Sequence, residues 1–384
     1  MTTLLPTPDS QAVQHSEQLA TLINNEILRQ GGWISFARYM ELDLYAPGLG
    51  YYTAGAHKFG AAGDFITAPE LSSLFGRTLA GQVAGIMAGS AGCIMELGAG
   101  SGKLAADILA ELELSGNLPE HYHILEVSAD LRERQKWRLQ QRVPHLFDRI
   151  SWLDALPDNF CGAIIANEVL DALPVHLLHW QENAVNEMGV ATAEAGFVWQ
   201  ERKINDPLLL QAVEKINVSG EYISEICLAA RGLINSLAGC MKQGAMLFID
   251  YGFGAGEYYH AQRTKGTLMC HYRHRAHDDP FFMPGLQDIT AHVNFTDIAE
   301  TGIDAGLELL GYTSQAYFLI NAGIAGLLKD TSPEDLLEYL PLSAQLQKLT
   351  SPAEMGELFK VIALGKNFTG TLTGFERGDL SRLL

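Results

Sequence analysis

The stretch Glu96-Leu97-Gly98-Ala99-Gly100-Ser101-Gly102 constrains this chain more than any other. It follows a short apolar run, Cys93-Ile94-Met95, and opens into a helical pattern from Lys103 to Glu113. A strand, a glycine turn and a helix start together make a binding corner. Small residues let a ligand reach the backbone, and the first helical turn offers unbonded N–H groups. The spacing narrows the ligand. The dinucleotide fingerprint needs a third glycine where this chain carries Lys103. The acid ahead of the glycines, Glu96, suits a cationic ligand better than a pyrophosphate.

The residues around this corner alternate strand and helix. Strands are expected at Cys93–Leu97, His121–Val127, Ile150–Leu153, Gly162–Ala166 and Ala245–Tyr251, with helices at Lys103–Leu114 and Ala129–Gln141 between them. That alternation means a doubly wound, mostly parallel α/β sheet. Leu307–Tyr317 and Phe359–Leu364 would close it with an antiparallel last pair. Ahead of the sheet lies a helical region over residues 1–88, with helices at Glu17–Gln30, Phe36–Leu44 and Leu71–Ala88 and frayed residues before about Ser16. The domain proper, 89–384, carries two insertions. One, at about 175–220, alternates polar and apolar residues and reads as antiparallel strands. It is followed by helix over Glu225–Met241. The other, at about 252–295, is rich in His, Arg, Tyr and Gly and reads as a long irregular loop, a feature that usually carries function.

The chain has 384 residues, a formal net charge of -19 and 47% hydrophobic residues. Phosphate backbones would be repelled by that charge, which argues against a nucleic-acid partner. Its five cysteines form no CxxC pair and point to a reducing compartment. No apolar run reaches the length of about 18 residues that a membrane span needs. The first 17 residues lack a basic start and an apolar core, so no signal peptide is expected, and a bacterial cytoplasmic location fits.

Several polar residues fall where such sheets bind ligands, at the carboxyl ends of strands. Glu126 ends the second strand and suits ribose hydroxyls, which serves NAD and SAM-type ligands equally. Asp154 follows the third strand, where a helix cap is the competing role. Asn167 and Glu168 end the fourth. Asp171 would lie one helical turn beyond Glu168 if the chain turned helical there, and two carboxylates could then clamp a guanidinium. Glu257 and His260 follow the fifth strand. The histidines His271, His274, His277 and His292 invite a metal, but Arg273 and Arg275 between them would repel one, so no metal is expected.

With these residues in view, the glycine motif resembles motif I of class I S-adenosyl-L-methionine (SAM) methyltransferases. The chain from about Gly32 to Leu364 resembles the MidA-type SAM-dependent methyltransferases, relatives of the mitochondrial complex I assembly factor. The marks are Ile34-Ser35-Phe36, Gly50-Tyr51-Tyr52, Gly63-Asp64-Phe65 with Thr67-Ala68-Pro69-Glu70, Glu96 to Gly102, Asn167 to His176, Asp250 to Gly254, Glu257 to His260 and Gln287 to His292. The resemblance implies a Rossmann-like core, SAM as donor and an arginine on a protein as acceptor, since the mitochondrial relatives modify a large subunit of respiratory complex I. It places Gly98, Gly100, Gly102, Glu126 and Asn167 on SAM, Asp154 near the adenine amino group, and Gly63, Asp64 and Thr67 in an N-terminal cover. Glu168 and Asp171 would form the acceptor clamp, with Glu257 and His260 as a second pair. Ser101 stands where the mitochondrial relatives carry a basic residue, and Ser73 and Ala261 replace prolines; these departures bear on the acceptor. A small-molecule methyltransferase and a non-catalytic assembly or binding factor are the alternatives. A NAD-linked reductase is the weakest, because of Lys103. The oligomeric state is not legible.

Overall fold

The computed structural model describes residues 5–55, 67–90, 92–182, 184–194, 196–329 and 331–384. Gly63 and Asp64, two of the expected cover residues, lie outside the described residues. The chain divides into two compact units: residues 66–170, 233–255 and 293–384 form one, and residues 1–65, 171–232 and 256–292 form the other. The N-terminal region and both insertions thus gather in one unit. The helix preceding the sheet goes instead with the glycine corner.

In the first of these units the elements are α1 (Ser73–Ala88), β1 (Cys93–Leu97), α2 (Lys103–Leu114), β2 (His121–Leu125), α3 (Ala129–Arg142), β3 (Ile150–Leu153), β4 (Phe160–Asn167), β5 (Met241–Phe253), α4 (Phe295–Asp304), β6 (Glu308–Ser314) and β7 (Phe359–Lys366). The strand order is β6-β7-β5-β4-β1-β2-β3. Strands β1 to β5 run parallel, and β7 runs antiparallel to both β5 and β6. This is the fold expected from the alternation of strand and helix. The sheet is apolar on both faces, as parallel sheets flanked by helices must be: Ile165 and Leu247 are fully buried on one face, and Ile164 and Phe248 on the other. The helix expected over Leu71–Ala88 is interrupted. Ser72 leaves helical geometry and its hydroxyl caps α1 by accepting the Leu74 N–H, so a separate turn of helix, Ala68–Leu71, precedes it.

One close backbone pair lies between two of the central strands of this sheet. Gly244 on β5 faces Gly162 on β4, with φ of 135° and 139°. A Cβ on Gly244 would stand 1.9 Å from the Gly162 carbonyl oxygen.

The other unit is built on an antiparallel sheet. Ala184–Ala193 pairs with His176–Gln181, Gly196–Lys203 and Ile34–Ser35, and His176–Gln181 pairs with Tyr222–Ile226. The antiparallel insertion expected near 175–220 is therefore present. Helix Ser10–Arg29 starts earlier than its apolar pattern does, because the Asp9 carboxylate caps it by accepting the Ala12 N–H. Tyr222–Ile226 corrects the expected helix over Glu225–Met241: the residues are a strand, and helix begins only at Leu228. Buried Glu225 explains the strand, since its carboxylate accepts the Thr267 and Leu268 N–H groups at 2.7 and 2.9 Å and the Tyr258 hydroxyl at 3.2 Å.

The same bonds correct the reading of 252–295 as irregular. Met269–Tyr272 pairs with Arg275–His277 and Asp288–Thr290 in a small antiparallel sheet. Asp43 accepts the Gly285 N–H, and Tyr52 donates to Asp288. Buried polar anchors distant in sequence order this segment, and local periodicity does not reveal them. Among the described residues no helix is long and apolar enough to cross a membrane.

Replacing Gly244 with alanine should therefore cost at least about 2 kcal/mol of stability, from lost backbone freedom and the clash across the sheet. Urea denaturation measures it; an unchanged midpoint would contradict this account of the sheet.

Candidate functional site

The site residues sit where β1 to β4 end. After β1 the backbone turns through three left-handed glycines, Gly98, Gly100 and Gly102, with φ of 60°, 52° and 79°. L-residues with a Cβ resist this conformation, which accounts for the spacing in the sequence. The surroundings of the three differ. A Cβ on Gly98 would lie 3.1 Å from Val169, and one on Gly102 would lie 3.2 Å from Gln135 Cα, whereas one on Gly100 would meet nothing within 4 Å. Gly100 thus leaves open space for a ligand to approach the backbone. Gly102 precedes α2 and offers no side-chain cap of its own, and the Lys103 N–H at the start of the helix donates to the Ser101 hydroxyl at 3.3 Å.

Glu96 lies beneath this turn and is almost wholly buried. Tyr122 donates to its Oε2 at 2.7 Å. Burial pushes the carboxyl up to about 7 against that hydrogen bond, and the charge of Glu126 adds to the rise. Glu126, just past β2, is buried as well. Its Oε1 accepts the Ser128 N–H at 2.9 Å, and its Oε2 accepts from Gln135 Nε2 at 3.0 Å. Burial raises its pKa too, and both hydrogen bonds oppose the rise. Two carboxyl groups in a desolvated corner favour a ligand that carries positive charge.

Asp154, past β3, is largely exposed and pairs with Arg132 at 2.6 Å. The same guanidinium donates to the carbonyls of Glu126 and Leu153, at 2.6 and 2.7 Å. Asn167, the last residue of β4, donates to Glu168 at 3.1 Å, while its Oδ1 is a buried acceptor with no hydrogen-bond partner among the described residues. An unmet acceptor of this kind is costly unless a ligand supplies a donor. Glu168 is half-buried and left-handed, with φ of 52°. Its N–H donates to the Ile249 carbonyl, and buried Asp250 holds the following turn by accepting the Leu170 N–H at 2.9 Å.

Thr67 stands at the start of helix Ala68–Leu71 and its side chain does not cap it. That helix is tied to the glycine turn, because Glu70 accepts from Ser101 and from Arg138, and Arg138 also donates to Ser101 at 2.6 Å.

The structure thus brings Glu96, Gly98, Gly100, Gly102, Glu126, Asp154, Asn167 and Glu168 to the ends of neighbouring strands in one unit. Asp171, Glu257 and His260 belong to the other unit. There Asp171 is buried and its carbonyl accepts the Ala291 N–H, whereas Glu257 and His260 are exposed beside a short helical turn. The helical turn considered for Glu168 to Asp171 does not form, since a left-handed Glu168 cannot begin a right-handed helix. Among the described residues no cluster of three His, Cys, Asp or Glu side chains could hold a metal. Sequence reasoning missed Arg132 and Gln135, and it named Asp250 as part of a motif without its role in holding the turn after Glu168. Gln135 left a signal, as a polar residue in the buried stripe Leu131-Gln135-Leu139.

Comparison with known proteins gives the ligand. A family model of S-adenosyl-L-methionine-dependent methyltransferases matches residues 75–313. A protein arginine methyltransferase NDUFAF7 of mitochondria from Danio rerio is 31% identical, over 87% of this chain and 83% of its own. The human NDUFAF7 is 29% identical, over 88% and 81%. A crystal structure from Burkholderia thailandensis, bound to S-adenosyl-homocysteine (SAH), is 49% identical, with a TM-score of 0.96 over 99% of this chain and 100% of that one. The residues present fit such a ligand: an open glycine turn, an unmet acceptor at Asn167 and two buried acids, Glu96 and Glu126, at the ends of neighbouring strands.

A carboxyl raised by burial stabilises the fold only while protonated, so Glu96 lowers stability as pH rises from the ordinary carboxylate range to about 7. Glu96→Gln keeps an acceptor for Tyr122 and should remove that fall. Between about pH 5 and about pH 8 the variant should gain on the order of 3 kcal/mol relative to wild type in urea denaturation. Parallel pH dependence of the two proteins would contradict it.

Proposed function

The chain belongs to the MidA-type family of SAM-dependent methyltransferases, and from that premise we propose that it methylates an arginine side chain of a protein. SAM, when bound, supplies a methyl group already activated by a sulfonium. The work left to the chain is to hold the acceptor in line, exclude water and accept a proton.

The division of labour we propose follows the geometry. The glycine turn and Glu96 receive the methionine end of the donor, Glu126 the ribose and Asp154 the adenine edge. Asn167 Oδ1 accepts from the donor's ammonium or the acceptor's N–H. Thr67 belongs to the cover over this site. Glu168 is the group that receives the guanidinium. A guanidinium keeps its proton at neutral pH and is a poor nucleophile. A carboxylate that pairs with it localises the charge, orients one nitrogen and takes the proton that nitrogen loses as it gains the methyl group. Asp171, Glu257 and His260 are further candidate acceptor-handling residues that the sequence offers.

The observation that carries this reading is the conformation of Glu168. A non-glycine residue held left-handed costs on the order of 1 kcal/mol or more and persists where its surroundings over-determine it. Here the Ile249 carbonyl and the Asp250 carboxylate do so on either side of the residue. The arginine acceptor also draws on the relatives that are named protein arginine methyltransferases. The partner we propose is the large subunit of respiratory complex I or an analogous protein, met in the cytoplasm.

Glu168→Gln should leave SAH affinity within about threefold of wild type and lower methyl transfer by about a hundredfold or more. Tritiated SAM with lysate from cells lacking the gene, followed by mass spectrometry of the labelled protein, measures both rate and acceptor residue. Normal turnover by the variant would remove Glu168 from the clamp, and label on a small molecule would replace the protein acceptor.

A further inference from the structure

Gln135 lies on α3 and is fully buried, yet it belongs to none of the residues expected to touch the donor. Its amide makes three hydrogen bonds to three different parts of the site. Nε2 donates to the Gly100 carbonyl at 2.9 Å and to Glu126 Oε2 at 3.0 Å, and Oε1 accepts from Trp152 Nε1 at 2.9 Å. These bonds use both N–H groups and the oxygen. They also fix the amide's orientation, because indole N–H can only donate, whereas the Gly100 carbonyl and the ionised Glu126 carboxylate can only accept. The backbone of Gln135 meanwhile packs within 3.2 Å of where a Cβ on Gly102 would be.

The neighbours of Gln135 three residues away extend the pattern. Arg132 binds the Glu126 and Leu153 carbonyls and the Asp154 carboxylate. Arg138 binds Ser101 and Glu70. Residues three apart on a helix form a slowly turning stripe, and this one touches the glycine turn, the end of β2 and the end of β3.

We propose that Gln135 is the positioning residue of the donor site, locking the glycine turn, Glu126 and the Trp152 strand into one register on which SAM affinity depends. It acts through Glu126 and Gly100 without meeting the donor. The inference rests on the assignment of the donor to this corner.

The test is a double-mutant cycle on SAH affinity, measured by calorimetry with the full chain. Gln135→Met preserves much of the side-chain bulk and should weaken SAH by roughly tenfold. In the Glu126→Gln background the same change should add only about threefold, because the part that passes through the carboxylate is already lost and the part that passes through Gly100 remains. A merely structural role would not move the pH profile. Loss of the N–H donation to Glu126 should shift the acid limb of SAH affinity to higher pH, with Arg132 and Glu96 unaltered beside it. Trp152→Phe is the milder variant should Gln135→Met melt early; it frees the amide to turn and should weaken SAH by about threefold.

Wild-type SAH affinity in both Gln135→Met and Trp152→Phe would overturn the inference, and so would additive effects in the cycle or an unmoved acid limb. Glu126→Gln binding SAH as tightly as wild type would instead sink the assignment of the site itself.

Discussion

The turn after β1 is left-handed at every second residue, Gly98, Gly100 and Gly102, a conformation that glycine enters cheaply, and the rest of the donor site is arranged around it. The turn does not hold itself. The Gly98 N–H donates to the Leu125 carbonyl at the end of β2, and the Gly100 carbonyl accepts from Gln135 on α3. Ser101 is bound by Glu70 and Arg138. The bonds reach three elements, so the shape of the turn reports the packing of β2, α3 and the helix before α1. A parallel sheet makes this possible, because it brings the carboxyl ends of consecutive strands to one edge.

Electrostatics at that edge follow from burial. Glu96 and Glu126 are acids taken out of water with few compensating charges, and both are raised in consequence. A site that keeps such groups is less stable than an apolar one, and a cationic ligand offsets the cost by stabilising their ionised forms. The backbone at Glu168 adds a second local cost, held by Asp250 on the neighbouring strand. Both features make sense for a chain that transfers a methyl group from a sulfonium.

Much of the fold was legible in the sequence, and the legible parts share a cause. β1, α2 and β3 have the limits expected, because each is bounded by glycine or by a change in apolar period. Glu225 and Ile226 were read as the start of a helix that begins only at Leu228, because the partners that hold buried Glu225 in a strand lie some forty residues on. The ordering of 252–295 was hidden for the same reason: Asp43, Tyr52 and Glu225 act across long stretches of chain. In the site, the glycines and strand-end acids announced themselves by type and spacing. Arg132 and Gln135 did not, since hydrogen bonds to backbone groups leave little trace in residue order. The helical step from Glu168 to Asp171 failed because a positive φ cannot be read from a glutamate.

The most direct trial of this account is a calorimetric titration of SAH and NADH into the wild-type protein and a Gly100→Val variant. Wild type should bind SAH one-to-one and ignore NADH, and the variant, with a side chain in the space the ligand needs, should give no heat with SAH. Tight NADH binding without SAH heat, or undiminished SAH binding by the variant, would contradict it.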